Sequence, residues 1–278
     1  MISIAVVGAN GFIGSNLKKT FYSKFSQSMG SRLDFDFIDG QWLRQASSSQ
    51  LRARLAGKGL LHLAENPNVS SYSSVKMVSS QYSKALELVE FSSAPKIYLS
   101  SYLVYTGMDS LGDTGLSEID AVCSEGGYAL HKLKVEKLFL DSGGVVIRSS
   151  NLYGWSRLRR QSFIDRIIKR LSMDEVIMLE NGSNVRDFFY IEQFVISLIK
   201  LMQVDDLRGI FNLGSGHGLS LAEAAYVISG AMGKAEMRIE HRLSESSRDI
   251  RFLDCSKVRS AIGWFEDTSL AFNLPQIL

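Results

Sequence analysis

Two side chains in the stretch GGYALHKLKVEKLF (126–139) have the types and the spacing that proton transfer requires. Tyr128 and Lys132 are four residues apart, so on a helix the phenol and the ammonium lie on the same face. In water a tyrosine phenol has a pKa of about 10 and is a poor base at neutral pH, but a neighbouring cation favours the phenolate. The pair is therefore a candidate proton relay, and the alternative is an ordinary surface pair on an amphipathic helix.

A second candidate site is a glycine-rich turn. GANGFIG (8–14) places Gly8, Gly11 and Gly14 at intervals of three residues, directly after the apolar run ISIAVVG. Glycines permit a tight turn and a close approach of the backbone to a pyrophosphate, and the N-terminus of the following helix attracts the anion. The turn predicts a dinucleotide-binding site, with glycines required only for packing as the alternative.

The elements that would position these residues alternate between strand and helix. The predicted strands are 2–8, 33–39, 60–64, 96–101 and a segment within 144–154, and the predicted helices are 13–26, 48–56, 74–92 and 127–141. After residue 154 the alternation loosens into helices at 162–172, 190–202 and 220–232. We expect an α/β fold: a doubly wound, Rossmann-type parallel sheet in 1–154 and a smaller substrate-binding cap in 155–278, from which some segments return to the sheet.

The composition excludes several other classes of protein. The 278 residues are 45% apolar and 22% charged, and 31 basic against 29 acidic residues leave a net charge of +2, so we expect no nucleic-acid partner. Cys123 and Cys255 lie far apart without metal-ligand spacing, so we expect reduced thiols and no metal. No apolar stretch could span a membrane and the sequence opens on a strand-like segment, so we expect no leader, no membrane and a cytoplasmic location.

The glycine spacing GxxGxxG together with the Tyr128/Lys132 pair resembles the short-chain dehydrogenase/reductase superfamily. The resemblance is to its extended, nucleotide-sugar-modifying branch, the NAD-dependent epimerase/dehydratase family, and it extends along nearly the whole chain. The further motifs that carry it are HLA (62–64), SSYLVY (100–105), RSSNLYG (148–154), VRDFFYI (185–191), FNLGSG (211–216) and RDIRFLDCSKVRSAIGW (248–264).

The resemblance implies a cofactor site with NAD as the cofactor and NADP as the alternative. The residues it assigns to the cofactor are Gly8, Asn10, Gly11, Phe12, Ile13, Gly14, Leu63, Ala64, Tyr128 and Lys132. Asp39, at the end of LDFDFID, would accept hydrogen bonds from the ribose hydroxyls and repel a 2′-phosphate, or it is simply a turn residue at the end of a strand. His62 is expected to be structural. Glu65 stands where the family has an alanine, so its carboxylate either points to solvent or changes the cofactor pocket.

The resemblance also implies the catalytic set Ser101, Tyr128 and Lys132, with Ser101 holding the substrate oxygen and Ser100 as the less favoured choice. Dehydratases, decarboxylases and 3,5-epimerases of this family carry an additional acid, base or cysteine after that serine. This sequence has Tyr102 and Leu103 there, and a leucine side chain cannot move a proton. The remaining chemistry is reversible hydride transfer, most often at C4 of the sugar, as a 4-epimerase or a 4-ketoreductase.

For the substrate, the resemblance implies that Asn151 and Arg186 contact the diphosphate of a nucleotide-diphosphate sugar, with Asp187 orienting Arg186. Near the C-terminus the family often has an arginine where this sequence has Ser246, so Arg242, Arg248 or Arg251 would supply that charge. A homodimer formed through the helices at 74–92 and 127–141 is also implied. The alternatives in function are a non-catalytic dinucleotide sensor on the same fold and a reductase of non-sugar ketones or aldehydes.

Overall fold

The computed structural model describes residues 1–25, 32–65, 72–105, 115–122, 127–156, 162–236, 239–242, 249–263, 265 and 267–278. The chain divides into two compact units. The first unit comprises Met1–Thr106, Ala121–Arg148 and Val195–Phe211, and the second comprises Gly107–Asp120, Ser149–Phe194 and Asn212–Leu278. The predicted domain boundary at residue 154 stays a prediction.

In the first half of the chain the strands and helices alternate in the predicted order, apart from the additional helix α2 (Gly40–Gln45). The strands are β1 (Ile2–Val7), β2 (Leu33–Ile38), β3 (Gly59–His62), β4 (Lys96–Ser101), β5 (Val145–Ser149), β6 (Asn151–Tyr153), β7 (Ile177–Glu180), β8 (Val185–Tyr190), β9 (Gly209–Leu213), β10 (Gly218–Ser220), β11 (Ile239–Arg242) and β12 (Ile250–Arg251). The helices are α1 (Phe12–Thr20), α2 (Gly40–Gln45), α3 (Ser48–Leu55), α4 (Val75–Phe91), α5 (Gly127–Asp141), α6 (Phe163–Ser172), α7 (Ile191–Leu201), α8 (Leu221–Ala231), α9 (Ser256–Ile262) and α10 (Leu270–Asn273).

A six-stranded sheet in the order β2-β1-β3-β4-β5-β9 organises the first unit. β1 pairs in parallel with β2 on one side and with β3 on the other, and β3 pairs in parallel with β4. Because the chain crosses from one side of β1 to the other, the carboxyl ends of β1 and β3 flank the switch point at which open α/β sheets bind ligands. This mostly parallel sheet with flanking helices confirms the predicted Rossmann-type class.

Two local features differ from the sequence-based prediction. The first helix ends at Thr20 and is followed by a π-helical turn, Phe21–Phe25, and residue 26, the predicted end of the helix, lies outside the described residues. The segment after β2 contains α2, which the sequence pattern did not predict. This helix begins after Asp39, whose side chain caps it by accepting hydrogen bonds from the backbone N–H groups of Gln41 and Trp42. The chain therefore reaches β3 through two short helices, without a strand in the described residues between β2 and β3.

Each unit has its own hydrophobic core. The core of the first unit joins β1, β3, β4 and β5 to α3, α4 and α5, and its largest fully buried side chains include Tyr98 and Phe139. In the second unit β8 pairs with β6, β10 and β12, and β7 pairs with β11. The core of that unit is formed by apolar residues of α6, α8 and α10, together with Tyr153 and Phe188. The central strands are buried on both faces, which is why their sequences are nearly continuous apolar runs.

Among the described residues, no helix is both long and apolar enough to cross a lipid bilayer. Cys255 is buried in the second unit and makes no disulfide bond. Cys123 lies outside the described residues.

Candidate active site

The glycine turn connects β1 to α1, and each of its glycines has a different role. Gly8 has a φ of +98°, which favours glycine, and a Cβ there would lie 2.8 Å from the backbone nitrogen of Ala64. A Cβ at Gly14 would lie 2.3 Å from the carbonyl oxygen of Gly8, so α1 packs directly on the turn. Gly11 is the N-cap of α1, without a side-chain cap and without an acidic residue in the first helical turn. These are the requirements for holding a pyrophosphate at a helix N-terminus.

A cavity of about 570 Å³ lies against this turn. Gly8 and Gly11 line it, as do Leu63, Ala64 and Glu65 after β3. Its wall also includes the basic residues Arg44 of α2 and Lys84 of α4. The close approach of two bare glycines, the uncapped helix terminus and the basic wall fit a bound dinucleotide, so the chain has a cavity suited to the predicted cofactor.

Asp39 lies at the carboxyl end of β2, as predicted, and its carboxylate already has partners. One oxygen accepts hydrogen bonds from the backbone nitrogens of Gln41 at 2.7 Å and Trp42 at 3.2 Å. The other oxygen accepts a hydrogen bond from the side-chain amide of Asn10. The structure therefore brings Asn10 and Asp39 together beside the glycine turn and gives Asp39 the alternative role of a strand-end turn residue. Its contact with a ribose stays a prediction.

Ser101 ends β4 and caps the short 3₁₀ turn Tyr102–Val104, where its Oγ accepts a hydrogen bond from the nitrogen of Leu103 at 3.2 Å. Ser100 differs, because its hydroxyl donates to the buried carboxylate of Glu136 at 2.5 Å. Glu136 in turn forms a buried ion pair with Arg148, at 2.7 Å. This arrangement favours Ser101 over Ser100 as the serine that holds a substrate oxygen.

Tyr128 and Lys132 both lie on α5, one turn apart. The Tyr128 ring is half-buried and meets the ring of Tyr72 edge to face, with centroids 4.9 Å apart. The Lys132 side chain is buried, and its Nζ lies 5.7 Å from the centroid of the Tyr128 ring. The helix therefore places the cation beside the phenol ring, as the spacing of the two residues predicts.

Glu65 is the residue whose role the sequence left open, and the structure buries it. Its carboxylate forms an ion pair with Lys132, at 2.6 Å, and accepts hydrogen bonds from the Tyr98 hydroxyl at 2.7 Å and from His131 Nε2 at 3.0 Å. Its side chain is only 8% exposed, so it does not point to solvent. No signal in the sequence other than the departure from the family's alanine marks Glu65, because Tyr98, His131 and Lys132 are far from it in the chain.

The charges of this cluster fix its protonation. Burial is the largest single cause and lowers the pKa of Lys132, but Glu65, Tyr128 and Glu136 together outweigh burial, so the pKa of the ammonium is raised. Burial would likewise raise the pKa of Glu65, but the charge of Lys132 and the hydrogen bond from His131 lower it. Burial, with a smaller contribution from Glu65, raises the pKa of Tyr98, which keeps its hydroxyl as a donor. Lys132 and Glu65 are therefore both ionised at neutral pH.

His62 packs inside the first unit, with its ring stacked on Phe139 at 6.0 Å and tilted against Tyr98 at 5.7 Å. Burial is the main cause that lowers the pKa of His62 to about 4, so the ring is neutral at pH 7. These contacts support the structural role expected from the sequence.

The predicted substrate residues belong to the second unit. Asn151 donates from its side-chain amide to the carbonyl of Asp187 at 3.1 Å. Arg186 forms an ion pair with Asp249, at 2.7 Å. The sequence suggested that Asp187 orients Arg186, and the structure corrects this. Asp187 is buried, and its carboxylate accepts hydrogen bonds from the backbone nitrogen and the hydroxyl of Ser215, at 2.9 and 2.6 Å. The contacts of Asn151 and Arg186 with a diphosphate stay predictions.

Of the three arginines that could replace the family's C-terminal contact, the structure describes the side chain of Arg251. Arg251 forms an ion pair with Asp249, at 2.9 Å, and thereby joins Arg186 around one carboxylate. Ser246 and Arg248 lie outside the described residues, as does the side chain of Arg242.

Two curated proteins have sequences that are similar to parts of this chain. Over 130 residues the chain is 31% identical to the low-salt glycan biosynthesis protein Agl12 of Haloferax volcanii, which covers 44% of this chain and 41% of that protein. Over 162 residues it is 26% identical to the dTDP-4-dehydro-6-deoxyglucose reductase of Escherichia coli, which covers 55% of this chain and 51% of that protein. The chain thus aligns with about half the length, or less, of these relatives.

The fold also matches that of solved structures. The UDP-glucose 4-epimerase of Thermotoga maritima, determined with UDP-glucose, superposes with a TM-score of 0.76 over 99% of this chain and 97% of the epimerase chain, at 18% identity. Residues 4–214 match the NAD dependent epimerase/dehydratase family, which confirms NAD as the predicted cofactor. Since this match covers well over half of the residues, the chain belongs to the NAD dependent epimerase/dehydratase family.

Proposed function

We propose that this protein catalyses reversible hydride transfer at C4 of a nucleotide-diphosphate sugar, as a 4-epimerase or a 4-ketoreductase. The observation that carries the proposal is the position of Tyr128 and Lys132 on one face of α5, with Lys132 paired to Glu65, a residue of the cavity that the glycine turn lines. The names of similar proteins include both reactions, a 4-epimerase and a reductase of a dTDP-4-dehydro sugar.

The protein's part in the reaction is to hold the sugar and to move one proton. Ser101 would donate a hydrogen bond to the oxygen at the reacting carbon, and Tyr128 would exchange the proton of that oxygen. Lys132 would stabilise the phenolate of Tyr128 and bind the nicotinamide ribose. NAD supplies the hydride acceptor or donor when bound. Leu103 occupies the place where relatives with elimination chemistry carry an acid, so we propose no second proton-transfer group there.

We further propose that Asn151 and Arg186 of the second unit bind the diphosphate of the substrate. Arg186 is partly buried and held by Asp249, which would fix its guanidinium for a bidentate contact with phosphate oxygens. A homodimer formed through α4 and α5 and a cytoplasmic location are further parts of this proposal. Leu86 of α4 and Leu130 of α5 are 46% and 39% exposed, which supports α4 and α5 as the helices of that interface.

The experiment is a screen of UDP- and dTDP-hexoses and of their 4-keto forms with the purified protein, read by NADH absorbance and by chromatography of the sugars. Native mass spectrometry of the same preparation reports retained NAD and the oligomeric state. Retained NAD with interconversion of C4 epimers identifies the epimerase, whereas consumption of added NADH or NADPH with a 4-keto sugar identifies the reductase.

The variant Tyr128→Phe keeps the ring but loses the hydroxyl, and we expect it to lower kcat by about 10²- to 10⁴-fold. Tyr22→Phe is the matched control, because Tyr22 is 53% exposed in the same unit and should leave turnover unchanged. Full turnover in Tyr128→Phe would contradict the proposed role, and binding of NAD without turnover of any sugar nucleotide would favour the dinucleotide sensor.

A further inference from the structure

Two arginines of the second unit lie opposite each other on neighbouring strands. β12 pairs in parallel with β8, and the register places Arg251 beside Arg186. Side chains at paired positions of neighbouring strands point to the same face of the sheet. Like charges in such positions repel each other and destabilise a sheet, so the stability of the fold does not explain this placement. We call Arg186 and Arg251 the arginine pair.

One carboxylate holds both members of the arginine pair. Asp249 accepts a hydrogen bond from Arg186 Nη2 at 2.7 Å through one oxygen and from Arg251 Nε at 2.9 Å through the other. Asp249 is itself fixed, because its backbone nitrogen donates to the side chain of Asn184 and its carbonyl accepts from the nitrogen of Val185, both at 2.9 Å. The two guanidinium groups therefore have defined positions.

The charge of this cluster is not balanced. Within the part of the chain that the structure describes, Asp249 is the carboxylate that forms an ion pair with either arginine, so two positive charges meet one negative charge. Asp187, the next residue after Arg186 in β8, is buried and accepts hydrogen bonds from Ser215 instead. The side chains of Arg186 and Arg251 are 19% and 23% exposed, so water screens the excess charge incompletely. The cluster therefore attracts an anion.

Arg251 also retains hydrogen-bond donors for a ligand. Its Nε–H donates to Asp249, and among the described residues its two terminal nitrogens have no hydrogen-bond partner. Arg186 has fewer donors left, because its Nη1 donates to the carbonyls of Val185 and Asp249. The parallel N–H groups of a guanidinium match two oxygens of a phosphate. Two guanidinium groups side by side therefore suit a ligand with two adjacent phosphates.

We propose that Arg251 is a second diphosphate-binding residue, which acts together with Arg186 on the nucleotide-diphosphate sugar. The inference rests on the proposed function, which supplies the ligand. The sequence left Arg242, Arg248 and Arg251 as alternatives, and the position opposite Arg186 favours Arg251. Loss of Arg251 weakens diphosphate binding in two ways that have the same sign. It removes a positive charge with its donors, and it leaves the charge of Asp249 to neutralise Arg186 alone.

The test is the binding of UDP, dTDP and inorganic pyrophosphate to the NAD-loaded protein, measured by isothermal titration calorimetry. Saturating NAD occupies the glycine turn of the first unit, so the added diphosphate does not bind there. We expect Arg251→Gln to weaken diphosphate binding about tenfold or more, the value of lost charge-assisted hydrogen bonds. Unchanged binding in Arg251→Gln would overturn the proposal, as would a wild type that binds none of the three compounds.

Two further variants separate a loss of binding from a loss of folding. Arg251→Lys retains the charge and can keep the ion pair with Asp249, but it lacks the planar fork. It should bind less tightly than the wild type and more tightly than Arg251→Gln. Arg170→Gln removes an arginine of the same unit that is 47% exposed and paired with Glu175, and it should leave binding unchanged. Binding by Arg251→Lys no tighter than by Arg251→Gln, or an equal loss in Arg170→Gln, would refute the role of Arg251.

The result is separable from the proposed function. Unchanged binding in Arg251→Gln, together with a loss in Arg186→Gln, would overturn the role of Arg251 and leave the proposed diphosphate site standing. Conversely, a loss of binding in Arg251→Gln, together with absence of hydride transfer on every sugar nucleotide, would retain the arginine pair and overturn the proposed activity.

Discussion

The side-chain amide of Asn10 donates a hydrogen bond to the carboxylate of Asp39 and so ties the glycine turn to the end of β2. The same carboxylate caps α2 through the backbone nitrogens of Gln41 and Trp42. Asp39 therefore holds α2 against the cavity, and α2 brings a positive side chain, Arg44, to the cavity wall. A carboxylate and a guanidinium have opposite effects on a 2′-phosphate, so we expect their balance to decide between NAD and NADP.

Arg44 should strengthen the binding of NADP more than that of NAD. It is exposed, and within the described residues no carboxylate forms an ion pair with it. We expect Arg44→Ala to weaken NADPH binding by about tenfold or more, the value of a lost charge-assisted contact, and to change NADH binding by less than about threefold. Fluorescence titration with both nucleotides measures the effect. Arg52→Ala, which removes an exposed arginine paired with Glu90, serves as the control, and an equal loss for NADH and NADPH would contradict the role of Arg44.

The glycine turn provides a prediction that separates folding from binding. A Cβ at Gly14 would lie 2.3 Å from the carbonyl of Gly8, whereas a Cβ at Gly11 has its nearest atom at 3.3 Å. We expect Gly14→Ala to lower the free energy of unfolding by about 1–3 kcal/mol. Gly11→Ala should change that free energy by less than about 1 kcal/mol but weaken dinucleotide binding about tenfold or more, because the methyl group would lie where we expect the pyrophosphate.

Urea denaturation and isothermal calorimetry with NAD distinguish the two variants. The idea fails if Gly11→Ala binds NAD as the wild type does, or if Gly14→Ala is as stable as the wild type.

The local parts of this site could be predicted from the sequence. The spacing of Gly8, Gly11 and Gly14 and the interval between Tyr128 and Lys132 each lie within one turn or one helix, where the backbone geometry alone sets the side-chain positions. The parallel strands could also be predicted, because their apolar runs are evident in the amino-acid sequence.

The long-range parts could not be predicted. The carboxylate of Glu65 meets Tyr98, His131 and Lys132 only because β3, β4 and α5 pack together, and no spacing in the chain encodes that contact. For Asp39 the sequence indicated a ribose contact or a turn residue at the strand end, but an aspartate before a short polar segment is also typical of a helix N-cap, and α2 follows it. The assignment of Asp187 to Arg186 followed their adjacency in the sequence, whereas successive side chains of β8 point to opposite faces.

The buried pair of Glu136 and Arg148 predicts a large loss of stability when one partner is removed. Their side chains are 3% and 4% exposed, and Arg148 contacts the carboxylate through two nitrogens, at 3.1 and 2.7 Å. We expect Glu136→Gln to lower the free energy of unfolding by about 3 kcal/mol, because it leaves the guanidinium buried without a counter-charge. Urea denaturation measures this loss.

The double variant Glu136→Gln/Arg148→Met is the matched comparison, since it removes both charges. It should be more stable than Glu136→Gln alone. If the double variant loses as much as the sum of the two single variants, the charges are not coupled and the explanation is wrong.

Asp36 on β2 predicts a stability that depends on pH. The hydrogen bond from Arg54 is the largest cause, with Lys58 in addition, that lowers the pKa of Asp36 from 3.8 to about 2, although partial burial opposes it. Because this pKa is lower in the folded protein than in the unfolded chain, the stabilisation is fully present above pH 4 and is lost as the pH falls towards 2. After allowance for solvent screening, we expect Asp36→Asn to lower the free energy of unfolding by about 1 kcal/mol at pH 7. Urea denaturation of both proteins at pH 7, 4 and 3 should show the difference between them shrinking as the pH falls below 4, whereas a difference that stays constant to pH 3 would assign the loss to the local geometry of β2 and not to the charge of Asp36.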